Sequence, residues 1–383
     1  MKTTKPAGKK IGFLYFDDIH IIPHFIGPLK ELYEAGENVQ LLTYEGEHTY
    51  LFQLLDQLKI PQEIVKFLPT YWYRKIGNKL KKRKYPSHYY IFRKNIDFLL
   101  SYDALIFNDL IQPYLFRMKQ KNGLKTPRFI MLMHGAGDHE YMIGEKYAGQ
   151  MAEFDLITAP GNKIYEAYKK MDLPATKIAL TGYQKFDLLK WTTPPVFFSN
   201  KNKTILYNPH FKRELSSWYK DGLRVLEFFY THPEYNLIFA PHINLFNKKG
   251  FLNKKDIPDK YYNAPNILID TGSYHLVNMD YTRSADIYLG DVSSQIYEFI
   301  LTPRPAIFIN SHNIDWKKNK FYKSWKLGPV INEISQLENL LPADKKWFPE
   351  YHIIQKKALN ETFFQPKTDN ISKIIAKEIL TSI

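Results

Sequence analysis

Apolar runs alternate with amphipathic stretches along most of the chain. The first run, residues 10–16 (KIGFLYF), is almost continuously apolar, as expected for a strand buried on both faces of a parallel sheet. Similar runs predict strands at residues 39–44, 104–107, 128–133, 156–159, 177–181, 204–207, 237–240, 267–269, 287–289 and 306–309. Apolar residues at helical spacing predict helices at residues 28–35, 89–100, 162–171, 217–231, 293–302 and 371–380.

The alternation is interrupted at residues 191–202 (WTTPPVFFSNKN). This stretch holds two prolines and several turn-forming residues without clear periodicity, which is typical of an interdomain linker. We therefore predict an α/β protein with two Rossmann-like β/α domains, each built on a parallel sheet with right-handed crossovers. The first domain would span residues 1–192 and the second residues 203–365. A C-terminal helix within residues 366–383 would pack back on the first domain.

Composition narrows the class of protein without indicating an activity. The 383 residues fit two domains, and an apolar fraction of 44% excludes global disorder. The chain has no cysteine, which excludes a disulfide scaffold, a thiolate zinc site and a cysteine nucleophile. No run reaches the roughly 18 apolar residues of a membrane span, and the polar N-terminal segment does not resemble a signal peptide. We expect a cytoplasmic protein that can lie on the inner face of a membrane.

Half of the excess positive charge lies in one short segment. The chain carries 53 Lys and Arg against 39 Asp and Glu, a net charge of +14, and residues 74–84 hold seven basic residues and no acidic one. Aromatic residues flank this segment, a combination that suits an anionic membrane surface, although a solvated helix face is the plain alternative. Nucleic acid is not expected as a partner, because no recognition motif accompanies the charge. The predicted membrane or acceptor surface comprises Arg74, Lys75, Lys81, Lys82, Arg83 and Lys84.

Histidines, glycines and serines stand where predicted strands end. Parallel sheets bind ligands beyond the carboxyl ends of their strands, so these residues are expected to line the binding site. They are His134, Gly135, Gly182, His210, His242 and the GDVSS run at residues 290–294.

His134 is the predicted general base. The ordinary pKa of an imidazole lies near neutrality, so its ring can take the proton of an attacking hydroxyl, and Gly135 lets a substrate approach the backbone. His210, His242 and Arg213 would donate hydrogen bonds to a leaving diphosphate. The sequence contains no DxD or clustered metal-ligand pattern. We therefore expect leaving-group stabilisation without a metal, and no cofactor beyond a nucleotide-activated substrate.

Ser293 and Ser294 are predicted to cap a helix. Their hydroxyls and the exposed backbone N–H groups would then form a phosphate site at the positive end of that helix, with Asp291 among the donor-binding residues. Glu298 lies one helical turn deeper, where a carboxylate can accept hydrogen bonds from ribose hydroxyls. The alternatives are plain capping without a ligand for the serines and an exposed helix acid for Glu298.

The order of these motifs resembles the CDP-glycerol glycerophosphotransferases of teichoic-acid and capsule synthesis, which have the GT-B fold of two β/α domains facing each other across a cleft. The resemblance covers roughly residues 128–310 and is most specific at residues 286–305 (DIYLGDVSSQIYEFILTPRP). It implies that His134 is the base toward the acceptor and that Glu298 holds the donor ribose. Five residues would hold the donor diphosphate and phosphoglycerol: His210, Arg213, His242, Ser293 and Ser294.

The predicted activity is metal-independent transfer of a glycerol-phosphate-like group, a polyol phosphate or a sugar. The donor would be CDP- or UDP-activated, and the acceptor would be a hydroxyl of a cell-surface polymer or a lipid-linked molecule. The architecture also resembles UDP-N-acetylglucosamine 2-epimerase, although Tyr297 replaces the first glutamate of that family's motif. A non-catalytic relative that binds nucleotide or polymer is the third hypothesis.

Overall fold

Contacts along the chain define two compact units. The computed structural model describes residues 8–75, 85–135, 142–247, 252–342, 346–367 and 370–383. The first unit comprises Met1–Thr192 with Thr362–Ile383, and the second comprises Thr193–Glu361. Each unit is a parallel sheet with helices, which confirms the predicted α/β class with two β/α domains.

The first unit is built on seven strands, and the apolar sequence of its central strands suits burial on both sheet faces. Their bounds are β1 (Lys10–Leu14), β2 (Asn38–Thr43), β3 (Val65–Phe67), β4 (Ala104–Phe107), β5 (Arg128–Leu132), β6 (Leu156–Ala159) and β7 (Lys177–Leu180). They form one parallel sheet in the order β3-β2-β1-β4-β5-β6-β7. The carboxyl ends of all seven strands therefore point toward one edge.

The helices of the first unit connect and cover these strands. They are α1 (Ile26–Glu34), α2 (Thr49–Gln57), α3 (His88–Lys94), α4 (Ile96–Leu100), α5 (Pro113–Lys121), α6 (Glu145–Met151), α7 (Asn162–Lys169) and α8 (Leu188–Trp191), with short 3₁₀ helices at Ile19–His24, Gln62–Ile64 and Gln184–Asp187. Between the sheet and its helices, the Phe107 ring contacts Phe129 and Phe154 at centroid distances of 5.2 and 5.6 Å. Burial of each such ring stabilises the unit by about 1.5–3 kcal/mol.

The C-terminal helix, Ile371–Thr381, packs on α1. Asn370 caps it, because its side-chain oxygen accepts a hydrogen bond from the Lys373 N–H at 2.6 Å. The buried carboxylate of Asp187 accepts another from the Ser372 N–H, also at 2.6 Å. This helix thus belongs to the first unit, although it follows the second unit in sequence.

The second unit repeats the architecture with six strands. Their bounds are β8 (Lys203–Asn208), β9 (Tyr235–Phe239), β10 (Ile267–Ile269), β11 (Ile287–Gly290), β12 (Ala306–Ile309) and β13 (Val330–Ile331). They pair in parallel in the order β10-β9-β8-β11-β12-β13. Its α-helices are α9 (Trp218–Thr231), α10 (Asn244–Asn247), α11 (Asp259–Tyr262), α12 (Asp280–Ser284), α13 (Gln295–Phe299), α14 (Leu337–Leu340) and α15 (Phe348–Thr362). The 3₁₀ helices are Lys254–Asp256, Tyr274–Leu276, Trp316–Lys318, Lys320–Leu327 and Ile334–Gln336.

Two predicted helices differ from the observed ones. The helix predicted at residues 89–100 is divided into α3 and α4 at Asn95, whose side-chain amide donates to the Ile91 carbonyl at 2.7 Å and so competes with the helical bonds. The helix predicted at residues 293–302 ends at Phe299. Pro303 disfavours continuation, and the Arg304 guanidinium donates to the Phe299 carbonyl.

Candidate functional site

A histidine cluster lies at the carboxyl edge of the first sheet. His134 comes two residues after the end of β5, and its ring contacts the His24 ring at a centroid distance of 5.5 Å. His24 ends the 3₁₀ helix after β1, and it also contacts Tyr183, which follows β7, at 5.4 Å. The Gln184 side-chain amide joins these segments by donating to the backbone carbonyls of His24 at 2.7 Å and Met133 at 3.2 Å. Three strand ends thus contribute to one cluster.

Burial keeps the His134 ring uncharged at neutral pH. Desolvation lowers its pKa to about 4, and the neighbouring His20 acts in the same direction. The negative charge of Asp109 and a hydrogen bond with the Asn108 backbone oppose this shift. Burial also lowers the pKa of His24 well below its ordinary value. An imidazole without its extra proton is the form that a general base requires.

The two glycines of the predicted site differ in what they do. Gly135 has a φ of +84°, and a Cβ there would meet nothing within 4 Å, so only the backbone conformation calls for glycine. Gly182 has a φ of +98°, and a Cβ there would lie 2.8 Å from the Phe364 carbonyl oxygen and 3.0 Å from Ile371. Gly182 thus accommodates the segment that returns from the second unit, and its contact with a donor stays a prediction.

In the second unit, the buried Asp291 carboxylate organises the loop after β8. It accepts hydrogen bonds from the His210 N–H at 2.8 Å, from the Ser217 N–H and hydroxyl at 2.6 and 2.9 Å, and from the Val292 N–H at 2.8 Å. Burial raises the pKa of Asp291 to about 6 while these bonds oppose the shift, so the group is mostly ionised at pH 7. Asp291 is predicted to bind the donor, but its bonds in this structure are to the protein itself.

His210 and His242 lie side by side at the ends of β8 and β9. Their ring centroids are 5.6 Å apart, and the Phe211 ring lies 4.7 Å from His210 and 4.5 Å from His242. The Nδ1 atom of His210 accepts from the Lys212 N–H at 3.1 Å, and that of His242 accepts from the Asn244 N–H at 3.1 Å. Because Nδ1 is an acceptor in both rings, the tautomer assigned to each neutral ring carries its proton on Nε2. Two Nε2–H donors on neighbouring strands suit an anionic oxygen.

The serines at the start of α13 differ from the prediction. Ser293 accepts a hydrogen bond from the Gln295 N–H at 3.3 Å, and its hydroxyl also bonds with the Tyr288 hydroxyl. Ser294 makes no side-chain capping bond, so the prediction that both serines cap the helix is wrong for Ser294. Its φ and ψ of −70° and −16° are already helical, whereas a capping side chain needs extended backbone.

Glu298 is a buried residue near the end of α13, with a side chain only 6% exposed. The alternative of an exposed helix acid is therefore wrong. Its negative charge contributes to raising the pKa of the Tyr288 hydroxyl, so Glu298 and Ser293 both face that tyrosine. A role with ribose stays a prediction.

The residues that the structure describes form neither a metal site nor a membrane-spanning helix. Among those residues, no group of three or more His, Asp or Glu side chains is placed to hold a metal ion. Within the same ranges, every helix is too short or too polar to cross a bilayer.

Solved structures match the chain although sequence searches do not. No protein-family model matches it, and no curated protein matches its sequence. The UDP-GlcNAc 2-epimerase of Neisseria meningitidis bound to UDP-GlcNAc is 15% identical over 97% of this chain and 99% of that one, with a TM-score of 0.58. S. aureus MnaA, solved with UDP, is 12% identical over 98% of both chains, with a TM-score of 0.58. The wall teichoic acid polymerase TagF is 14% identical over 97% of this chain and 88% of that one, with a TM-score of 0.62.

The chain has the GT-B fold. Identities of 12% to 15% establish the fold alone, so the ligands and the reaction of this GT-B protein have to be argued from its own residues. Those residues form one group at the sheet edge of each unit. Arg213 lies beside the second group, exposed, with its guanidinium 5.6 Å from the centre of the Tyr219 ring.

Several residues of the first group carry no motif in the sequence. His20 and His24 are four residues apart directly after β1, and this spacing next to a strand end is the signal that could have indicated them. Lys185 is a buried lysine whose positive charge helps to lower the pKa of both histidines. Asp109 follows β4 and acts on His134 through its charge. No sequence pattern distinguishes Lys185 or Asp109 from an ordinary loop residue.

The predicted membrane or acceptor surface, called the basic surface below, is described only at Arg74 and Lys75. Its other residues, Lys81, Lys82, Arg83 and Lys84, lie outside the described residues. The Arg74 guanidinium lies 3.5 Å from the centre of the Tyr90 ring, and Lys75 pairs with Glu45. Trp72 beside them is 74% exposed. An exposed tryptophan next to stacked Arg and Tyr side chains is typical of residues at a membrane interface.

Proposed function

We propose that the protein transfers a glycerol-phosphate-like, polyol-phosphate or sugar group from a CDP- or UDP-activated donor to a hydroxyl of a cell-surface polymer or lipid-linked acceptor. The observation that carries the proposal is the contrast between its strand-end histidines. His134 is an uncharged base at neutral pH, whereas His210 and His242 each present an Nε2–H donor. Group transfer to a hydroxyl needs a base for the incoming oxygen and donors for the leaving one.

His134 would act on the acceptor. The acceptor oxygen bonds to the transferred phosphorus or anomeric carbon while the ring takes the hydroxyl proton. The bond between the transferred group and the nucleotide breaks, and its electron pair leaves with the nucleotide. Because the pKa of His134 is about 4, the ring is unprotonated but weakly basic at pH 7, and an anionic substrate nearby would raise that pKa toward neutrality and strengthen the base.

The second unit would hold the donor. His210 and His242 would donate to diphosphate oxygens, and the exposed Arg213 would add positive charge. Asp291 accepts a hydrogen bond from the backbone N–H of His210 and so positions the imidazole that would donate to the diphosphate. Ser293 and Ser294 would contact the same phosphates, and Glu298 would accept hydrogen bonds from the ribose.

The names of the structural neighbours support parts of this assignment. MnaA was solved with UDP and the Neisseria epimerase with UDP-GlcNAc, which supports a nucleotide-linked donor. TagF is a wall teichoic acid polymerase, which supports a polymer acceptor.

A nucleotide-sugar epimerase is the second candidate, favoured by the presence of 2-epimerases among the matching structures. An epimerase would convert a UDP-sugar without any acceptor. The tyrosine at position 297, where the epimerase motif has a glutamate, favours transfer. The third candidate is a non-catalytic relative of these enzymes, which would bind nucleotide without consuming it.

One panel of ligands separates these candidates. The full chain is mixed with CDP-glycerol, CDP-ribitol, UDP-GlcNAc or a CMP-sugar, and the thermal transition and the nucleotide products are measured. A ligand that binds the folded state at about 100 times its Kd should add about 2.7 kcal/mol of stability. We expect one nucleotide class to stabilise the protein and to be consumed only when an acceptor is present.

The same panel includes two variants. His134→Gln should lower kcat by about 10²- to 10⁴-fold with the thermal shift by donor preserved, because the base acts on the acceptor. His352→Gln, a substitution in α15 at a ring that contacts Phe348, should behave as the wild type. Formation of the sugar's epimer from UDP-GlcNAc without acceptor would instead establish the epimerase, and full transfer by His134→Gln would remove the base assignment.

We also propose that the basic surface binds an anionic membrane, which would bring the protein to a lipid-linked acceptor. The full chain should sediment with vesicles of phosphatidylglycerol and phosphatidylcholine and much less with phosphatidylcholine alone, and salt should weaken the binding. Neutralising four residues of the basic surface should abolish sedimentation. Neutralising four exposed lysines elsewhere should leave sedimentation unchanged. Equal effects of the two variants would show that the basic surface is only exposed to solvent and does not bind the membrane. The two glutamine variants replace Lys81, Lys82, Arg83 and Lys84 in the first case and Lys317, Lys318, Lys323 and Lys326 in the second.

A further inference from the structure

A cavity of about 250 Å³ opens in the first unit at the carboxyl ends of β1 and β4. Its lining comes from the residues that follow β1 and β4 and from the segment that leads into α3. Asn108 joins the cavity to the histidine cluster, because it lines the cavity and its backbone hydrogen-bonds with His134. A ligand in this cavity would therefore be linked to the base through Asn108.

The charged residues of the lining are acidic. Asp17 follows β1 and Asp109 follows β4, and each carboxylate accepts the N–H of the next residue at 2.7 Å. The lining also includes His88, whose pKa is lowered by burial. No lysine or arginine belongs to the lining that the described residues provide. Carboxylates accept hydrogen bonds from hydroxyls and repel phosphates.

The rest of the lining is mostly apolar, and two of its rings pack against other aromatic side chains. Phe16 packs edge-on against Phe92 at a centroid distance of 5.2 Å, and Tyr85 packs against Tyr44 at 5.9 Å. The Tyr85 hydroxyl also bonds with the buried carboxylate of Asp18. These contacts preform the cavity, and its volume lies below the about 300–1,000 Å³ of pockets for drug-sized ligands. The space suits one sugar or polyol unit.

We infer that this cavity binds an uncharged, hydroxyl-bearing unit and excludes a phosphorylated one. Asp17 and Asp109 accept hydrogen bonds from its hydroxyls while its carbon face lies on the apolar wall. We assign this hydroxyl-bearing group to the neutral end of the acceptor, an assignment that rests on the proposed transferase function. The selection against phosphate then operates in the first unit, whereas the donor's phosphates are bound in the second.

The test measures binding in the absence of any nucleotide. Glucose and ribitol are titrated into the full chain alongside glucose 6-phosphate and ribitol 5-phosphate, and saturation-transfer NMR gives each Kd. Ile111→Trp fills the cavity, so the binding that it removes is assigned to the cavity. We expect Ile111→Trp to weaken the neutral probes about tenfold or more and to leave the phosphorylated probes unchanged.

Removing one charge should relax the exclusion. Asp109→Asn should let the phosphorylated probes bind in the cavity, so that Ile111→Trp in the Asp109→Asn background now weakens them too. Asp172→Asn, at an exposed position after α7, is the matched control and should leave the discrimination intact. An unchanged thermal transition confirms that each variant is folded.

Two results would overturn the inference: neutral probes that bind Ile111→Trp as they bind the wild type, or phosphorylated probes that lose equal affinity in it. Because no donor is present, failure of the transferase proposal leaves this measurement intact. Neutral binding in the cavity without transfer from any nucleotide would disprove the transferase alone.

Discussion

The protonation state of His134 follows from its surroundings more than from its residue type. The strand-end position predicts His134, His210 and His242 as ligand-facing residues. The sequence cannot indicate that burial keeps one ring uncharged or that backbone N–H groups fix the tautomers of the other two. The pKa of His134 is lowered first by burial and then by His20, while Asp109 opposes the shift, and both neighbours come from other strand ends and share no motif with His134.

At this scale we predict that the acid limb of the kcat/KM profile lies near pH 4. A general base works in its unprotonated form, and the pKa of His134 in the folded protein is about 4 instead of its ordinary value of about 6.5. Activity should therefore persist as the pH falls through 6 and decline only toward 4. The profile of the wild type is compared with that of His352→Gln, which should be the same. An acid limb near 6.5 in both proteins would contradict the assignment of His134.

At the scale of elements, apolar pattern predicts strands well and helix ends poorly. The strands at residues 104–107, 156–159, 267–269 and 306–309 have the predicted bounds, because each is a largely apolar run with a polar residue or a proline at each end. β3 and β13 escape prediction because two or three residues carry no period. The early end of α13 depends on Arg304, whose guanidinium also donates to carbonyls of α12 and its flank, a tertiary contact that no local pattern reveals.

We predict that Gly182→Ala destabilises the first unit more than Gly123→Ala does. Both glycines have positive φ, which costs a substituted residue about 1–2 kcal/mol. Only at Gly182 would the new Cβ also lie 2.8 Å from a carbonyl oxygen, whereas at Gly123 it would meet nothing within 4 Å. Urea unfolding of the two variants gives the difference, which combines the overlap with the returning segment and the larger φ at Gly182, +98° against +62° at Gly123. Equal losses would mean that this segment moves aside without cost.

At the scale of the whole molecule, the two units should respond to acid in opposite directions. His20, His24 and His134 have folded-state pKa values below their unfolded value of about 6.5, so the unfolded chain binds more protons below that pH and acid lowers the stability of the first unit. Asp291 has a folded-state pKa of about 6 against an ordinary value of about 3.9, so the folded second unit gains stability as the pH falls from 6 toward 4.

Hydrogen exchange followed by mass spectrometry resolves the two units. With rates corrected for the intrinsic pH dependence, acidification from about pH 7 to about pH 5 should lower protection in the first unit and maintain or raise it in the second. His20→Gln should reduce the pH dependence of the first unit, because it removes one of the titrating rings. Parallel losses in both units would show that these buried groups do not control the acid response.

The return of the C-terminal helix to the first unit has a consequence for synthesis on the ribosome. Translation proceeds from the N-terminus, so α1 emerges early while the helix that covers it, Ile371–Thr381, emerges after the whole second unit. The side of α1 that receives this helix stays uncovered throughout that interval. The seven strands of the first sheet are synthesised before the second unit, but the first unit receives its last helix only after the second sheet has been made, so the unit that is synthesised first is completed last.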